Sequence, residues 1–165
     1  MLENKKGSLE DIMFIGIILL FAAMVILIGF KVTSEFNDNV QTNDLIPANA
    51  KTSTQTLTDF YPGIVDNSFL FLTIGLCIAT LVLAALVRIH PMFIAFYLIG
   101  LTIVVFVSGV LSNIYQEMAA NANLAAQADQ LTVITSIIEY LPFIIGIFGT
   151  LLMVVMYKLW RNGEE

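Results

Sequence analysis

Four long apolar stretches divide this chain, and none of them contains an Asp, Glu, Lys or Arg residue. They cover residues 12–30, 67–87, 91–115 and 140–157. A helix needs about 20 consecutive apolar residues to cross the hydrocarbon core of a bilayer, and each stretch is close to that length. We therefore predict an all-α protein, an integral membrane four-helix bundle that forms a single membrane domain over residues 1–165.

The composition supports a membrane protein. Hydrophobic residues make up 58% of the chain and charged residues 12%, with a mean hydropathy of +0.88. Soluble domains carry about 25% charged residues, so the expected partner of this chain is a lipid bilayer. The net charge of -6 argues against nucleic-acid binding, because neutralising phosphates requires clustered Lys and Arg.

The positions of the cations predict the orientation in the membrane. Five basic residues lie at span ends that share one side: Lys5, Lys6, Arg88, Lys158 and Arg161. By the positive-inside rule, this side and both termini face the cytoplasm or its equivalent. The opposite side receives the polar loops 32–66 and 116–139. Together with Lys31, which directly precedes the first loop, these loops hold eight acids and only two basic residues, Lys31 and Lys51.

Both polar loops have helical features. In the first loop, five apolar residues fall on one face of a helix, which we expect to lie along the membrane surface: Leu57, Phe60, Tyr61, Ile64 and Val65. Pro47 and Pro62 are expected to break this loop. The second loop is rich in Ala, Leu and Gln, which favour helix, so the fourth span is expected to extend outward until Pro142 bends it.

The two halves of the chain resemble each other. The segment beginning at Met13 aligns with the segment beginning at Met92, and a shift of 73 residues places Asp66 on Glu139. If this repeat is real, the bundle consists of two tandem hairpins, each built as span, outer helix, span. Chance similarity between apolar helices stays the alternative.

The start of the first span, KKGSLEDIMFIG, has two interpretations. It resembles the cleavage region of type IV pilin-like precursors, and it also fits a helix capped by Ser8 with Asp11 as the acid of a capping box. A pilin has one N-terminal span and a soluble head, whereas four spans are predicted here. We therefore expect the capped helix.

Catalytic groups are scarce in the sequence. His90 is the only histidine, and Cys77 is the only cysteine. His90 would act as a pH switch in a functional interpretation, but a polar residue in a turn at the headgroup level is the simpler one. Cys77 is expected to be a packing residue rather than an acylation site. We predict no enzymatic activity, metal, cofactor or small-molecule substrate.

The candidate binding residues belong to two sets. One set is expected to lie at the membrane interface, where aromatic and basic residues concentrate: Phe60, Tyr61, Arg88, His90, Tyr140, Tyr157 and Trp160. The other set is expected to bind protein partners on the acidic outer side: Asp38, Asp44, Asp59, Phe60 and Asp129.

Several segments together resemble small membrane proteins of lipid-containing icosahedral viruses of bacteria and archaea. They are NKKGSLEDIMFIG, SEFNDNVQ, VDNSFLFLTIGL, RIHPMF and LSNIYQEM. The resemblance implies a structural protein of the membrane beneath a capsid, which self-associates and touches capsid proteins through its polar loops. A holin-like or channel-forming protein, or a membrane subunit of a secretion or conjugation system, are the alternatives.

Overall fold

The computed structural model describes residues 9–85 and 92–161, with side chains for 13–82 and 94–158. Within these ranges the chain forms six helices and no strand. They are α1 (Leu9–Thr42), α2 (Ala48–Ala85), α3 (Met92–Ala119), α4 (Ala125–Ala128), α5 (Thr132–Glu139) and α6 (Leu141–Arg161). The predicted positions of Ser8, Arg88 and His90 lie outside the described residues.

Four of these helices are long and apolar enough to cross a membrane. The candidate spans are Met13–Thr42, Ala48–Val82, Ile94–Ala119 and Leu141–Lys158. Each of them contains most of one predicted apolar stretch, which confirms the all-α four-helix membrane bundle.

The spans are arranged as two antiparallel hairpins. α1 packs on α2, α3 packs on α6, and the hairpins meet where α1 contacts α3 and where α2 contacts α5 and α6. One cluster of buried apolar side chains joins them, including Leu27 of α1, Phe69 of α2, Leu101 of α3 and Leu152 of α6. Only the second hairpin has the predicted order of span, outer helix and span, because α4 and α5 lie between α3 and α6, whereas α1 is followed directly by α2.

The outer part of the first hairpin corrects two predictions. Residues 48–66 belong to α2, which continues without interruption into the second span. Since one continuous helix cannot both cross the bilayer and lie flat on it, the predicted surface helix is wrong. Only Tyr61 and Val65 of its apolar set are partly buried against the core, while Leu57, Phe60 and Ile64 are exposed.

The prolines of the first loop behave differently from each other. Pro47 lies in the turn between α1 and α2, so the break predicted there is confirmed. Pro62 lies inside α2, so the break predicted there is wrong. A proline in a helix interior costs about 3 kcal/mol. The neighbouring Tyr61 packs against α1, where its ring stacks on Phe30.

The second hairpin bends where it was predicted to bend. α5 ends at Glu139 and α6 begins at Leu141, immediately before Pro142. A proline leaves carbonyl groups of the preceding turn without helical partners. The Ser112 hydroxyl of α3 donates a hydrogen bond to the Glu139 carbonyl at 3.1 Å, so a side chain of the neighbouring helix binds one carbonyl at this bend.

Candidate partner-binding surface

The ends of α1 and α2 form a projection that we call the outer hairpin. It consists of residues 31–42 of α1, the turn 43–47 and residues 48–60 of α2. At a rise of about 1.5 Å per residue, the 12 residues of α1 carry the turn about 18 Å beyond the predicted end of the first span at Phe30. The polar loop 32–66 is therefore mostly a pair of antiparallel helices.

The two helices of the outer hairpin are joined by side-chain amides. Asn37 is buried, with 5% of its surface exposed, and its Nδ2 donates to Gln55 Oε1 at 2.9 Å. Gln41 Nε2 donates to Asn37 Oδ1 at 3.2 Å and to the Lys51 carbonyl at 2.8 Å. Because these bonds are directional, this polar ladder sets the register of the two helices.

Lys51 closes the ladder near the turn. Its Nζ donates to the Gln41 carbonyl at 2.9 Å, in the last turn of α1. Carbonyl groups in this turn have no partner within the helix, and the helix dipole makes this end negative. The Lys51 cation therefore satisfies a carbonyl and stabilises the end of α1.

The base of the outer hairpin is an aromatic contact. The rings of Phe30 and Tyr61 are stacked, with centroids 5.0 Å apart and planes 8° from parallel. The Tyr61 hydroxyl donates to the Ile26 carbonyl at 3.3 Å, and it lies 3.0 Å from the position that a Cβ atom on Gly29 would take. The absence of a side chain at Gly29 lets the Tyr61 hydroxyl approach α1.

Asp66 ties α2 to the second hairpin. Only 6% of its surface is exposed. Its Oδ2 accepts a hydrogen bond from the Val133 backbone N–H at 3.0 Å, and its Oδ1 accepts one from the Ile134 N–H at 3.1 Å. These N–H groups belong to the first turn of α5, which has no side-chain cap of its own. The carboxylate thus caps α5 from another helix, at the positive end of its dipole.

A second polar contact lies beside this cap. Tyr115 of α3 is fully buried, and its hydroxyl lies 3.4 Å from Thr135 Oγ1 in α5. The Thr135 hydroxyl donates to the Ala128 carbonyl at 3.3 Å. α5 is therefore held to α2 by Asp66 and to α3 by Tyr115, which makes the outer ends of both hairpins one packed unit.

The burial of Asp66 changes the charge of the outer surface. We predicted that eight acids form one acidic face, but Asp66 is removed from solvent and bound to α5. Glu35 forms an ion pair with Lys31 at 3.3 Å. Four other acids, the predicted partner-binding ones, are exposed: Asp38, Asp44, Asp59 and Asp129.

The structure separates these four acids into two groups. Asp38, Asp44 and Asp59 lie on the outer hairpin, whereas Asp129 lies at the end of α4 on the second hairpin. Asp59 Oδ1 accepts a hydrogen bond from Gln55 Nε2 at 2.8 Å, which connects this acid to the polar ladder. Phe60, the apolar member of the set, is 63% exposed at the base of the outer hairpin.

The predicted interface aromatics also differ in their surroundings. Tyr140 and Tyr157 are exposed, at 55% and 44%, and the Tyr140 ring lies 6.4 Å from that of Phe143. Tyr61 is partly buried in the contact between α1 and α2. The side chain of Trp160 lies outside the described residues.

Polar side chains within the spans bind backbone carbonyls. Thr73 donates to Phe69 O at 2.9 Å, Ser108 to Val105 O at 2.8 Å, and Tyr97 of α3 to Gly149 O of α6 at 2.9 Å. These bonds satisfy groups that water cannot reach in a bilayer. The Thr73 and Ser108 bonds lie within one helix, whereas the Tyr97 bond joins α3 to α6.

Two further features bear on possible ligands. A cleft of about 30 Å³ between the spans is lined almost entirely by apolar side chains, with Thr73, Cys77 and Thr80 on its α2 side. Among the described residues, no group of three or more His, Cys, Asp and Glu residues is placed to hold a metal ion.

Comparison with known proteins adds no assignment: no protein-family model, curated protein or solved structure matches this chain.

The sequence interpretation did not single out Asp66, Asn37 or Gln41 as structural residues. Asn37 and Gln41 are four residues apart on α1, and Lys51 and Gln55 have the same spacing on α2. Two amide-rich rows at helical spacing, separated by a short turn containing Pro47, are a signal for a polar helical hairpin. No comparable local signal marks Asp66, whose partners are 67 and 68 residues away.

Proposed function

We propose that this chain is a non-enzymatic structural protein of a viral membrane, which self-associates there and binds capsid or other structural proteins through its acidic outer surface. Both termini face the cytoplasmic-equivalent side in this proposal, so the outer hairpin faces the partner. The single observation that carries it is the outer hairpin, a braced projection with three exposed carboxylates besides that of Glu35, which is paired with Lys31.

The bracing of the outer hairpin supports binding rather than a mobile linker. The amide ladder, the stacked Phe30 and Tyr61 rings and the Asp66 cap hold it from turn to base. A surface that is already ordered loses little conformational entropy when it binds. Its exposed acids repel anionic lipid headgroups and attract a basic protein surface at long range.

The test is to replace Asp38, Asp44 and Asp59 with Asn together. Asn keeps the size of each side chain and leaves an oxygen to accept the bond from Gln55. We expect incorporation of the full-length protein into the assembled particle to slow about tenfold at low salt, because electrostatic steering is lost. The difference from wild type should shrink at moderate salt, where the charges are screened.

The matched control is Asp129→Asn, which removes the same group from the second hairpin. We expect a smaller effect from this variant, since it changes one charge away from the outer hairpin. Equal incorporation of wild type and the triple variant at both salt concentrations would refute binding through these acids. Defined unitary currents from the purified protein in planar bilayers would favour the channel alternative instead.

A further inference from the structure

The turn of the outer hairpin presents an apolar side chain to solvent. Leu45 is 92% exposed, and it lies at the point of the described chain farthest from the predicted spans along both α1 and α2. Exposing a leucine in water is unfavourable, by an amount proportional to its apolar area. A single exposed leucine is ordinary on a protein surface, so the surroundings of Leu45 decide what it means.

The backbone around Leu45 is ordered by local hydrogen bonds. Asn43 Oδ1 accepts from the Leu45 N–H at 2.9 Å, and the Asn43 carbonyl accepts from the Ile46 N–H at 3.3 Å. On the other side, the Pro47 carbonyl accepts from the Ala50 N–H at 3.0 Å. Leu45 therefore projects from a turn of defined shape, mounted on two helices that the polar ladder joins.

The charges near this turn are acidic. Asp44 is adjacent to Leu45, Asp38 lies one turn before the end of α1, and both are exposed. Within the part of the chain that the structure describes, neither carboxylate has an ion pair or side-chain hydrogen bond. The nearby cation, Lys51, is engaged with the Gln41 carbonyl. The turn thus combines an apolar centre with unpaired negative charge.

From this combination we propose that Leu45 is the central contact of the partner-binding surface, and that it enters an apolar pocket bordered by Lys or Arg side chains on a protein. This inference rests on the proposed function and names the chemistry of the partner. A few anchor side chains buried near the centre of an interface supply most of the binding energy in many protein complexes, and the rim around them is polar. Leu45 has the position of such an anchor, and Asp38 and Asp44 have the positions of rim charges.

An anionic lipid surface fits the turn less well than a basic protein does. Asp38 and Asp44 would be repelled by the negative potential of anionic headgroups. The predicted first span ends at Phe30, and α1 continues for about 18 Å beyond it, so Leu45 does not reach the predicted bilayer while the outer hairpin keeps this shape. A basic protein surface satisfies both the leucine and the acids.

The test uses the full-length protein in nanodiscs of neutral phosphatidylcholine and two labelled peptides. One peptide is an amphipathic helix of Leu and Lys, and the other has each Leu replaced by Ser. Binding is measured by fluorescence anisotropy, with empty nanodiscs subtracted. We expect Leu45→Ala to weaken binding of the Leu and Lys peptide about tenfold and to leave binding of the Ser and Lys peptide unchanged.

The matched control is Leu57→Ala, which truncates another exposed leucine of the outer hairpin (66% exposed), and we expect it to change affinity less than twofold. Equal affinities of Leu45→Ala and wild type would overturn the role of Leu45. If the triple Asn variant nevertheless binds more weakly than wild type, binding through the acidic surface is supported and only the role of Leu45 is refuted. If the triple variant binds both peptides as well as wild type, the proposed function fails as well.

A third arm distinguishes lipid from protein. Nanodiscs are mixed with vesicles containing phosphatidylserine, and recruitment is measured by flotation. We expect no recruitment that depends on Leu45. Recruitment of wild type that is lost in Leu45→Ala would overturn the assignment to a protein partner, because the turn would then be inserting into a second membrane.

Discussion

The outer hairpin and the contact between α3 and α6 bring helices together by different means. In the outer hairpin, the side-chain amides of Asn37 and Gln41 in α1 donate hydrogen bonds to Gln55 and to the Lys51 carbonyl in α2. Between α3 and α6, a methyl group on Gly149 would overlap the Leu101 side chain, so the helices meet by direct packing at a glycine. Water competes for amides outside the membrane, whereas lipid leaves close packing as the main source of attraction.

The solvent around a helix pair, water or lipid, thus decides which side chains hold the two helices together. Each side-chain amide hydrogen bond contributes only about 1 kcal/mol of net free energy, but its direction fixes how the helices are aligned. Packing at a glycine gives no such directional bond, yet it is sensitive to a single added carbon. Asp66 shares a feature with each region. Its hydrogen bonds to backbone N–H groups of α5 are directional, like those of the amides, and its side chain is buried, like the contact at Gly149.

The largest expected effect comes from Asp66→Ala. This change leaves the N–H groups of Val133 and Ile134 buried without partners, which should lower the free energy of unfolding by about 3 kcal/mol. Asp66→Asn keeps one acceptor and should lose less. Unfolding in detergent micelles, followed by circular dichroism, measures both. The control is Asp38→Ala at an exposed acid, and equal stability of the two alanine variants would contradict the role of Asp66 as a cap.

A smaller loss is expected from Gly149→Ala, which tests packing within the membrane. The added methyl group meets Leu101, and overpacking of this kind costs about 1–3 kcal/mol. Leu101→Ala by itself leaves a cavity in the core, but the double variant should lose less than the sum of the two single losses, because the overlapping group is then gone. The control is Gly75→Ala in α2, where an added Cβ has no neighbour within 4 Å. If both glycine variants unfold alike, the close contact of α3 and α6 is not sensitive to size.

The smallest expected effect on stability comes from Asn37→Ala in the polar ladder. It removes the bonds to Gln55 and Gln41, with a loss of about 1 kcal/mol. Because the change is local, hydrogen exchange should quicken in residues 31–60 and stay unchanged in α6. Asn39→Ala, two residues away at an exposed position, is the control. Faster exchange throughout the chain would contradict a purely local role for the polar ladder.

Much of this fold could be predicted locally. Spans are marked by charge-free apolar stretches, and Pro47 and Pro142 mark the turn and the bend. The stripe containing Leu57, Phe60 and Tyr61 was misread because periodicity shows that residues share a face, not what that face contacts. In the structure Tyr61 packs against α1, whereas Leu57 and Phe60 are exposed.

The candidate surface was predictable only in its overall charge. Asp38, Asp44 and Asp59 could be placed on the outer side, but the count of eight acids included Asp66. Its burial depends on α5, which begins 66 residues later in the chain. No local sequence pattern indicates a contact between residues so far apart in the chain. Only the folded structure therefore shows that Asp66 caps a helix instead of facing solvent.

The sequence by itself determined the number of candidate spans and their positions along the chain. The physical reason is that a bilayer core accepts only segments with about 20 apolar residues and internally bonded backbone. Tertiary structure decided that the outer hairpin is a braced projection, that Asp66 is a cap and that Leu45 is exposed. These outcomes depend on which side chains lie opposite each other when α1, α2 and α5 pack, and packing partners are set by the whole fold.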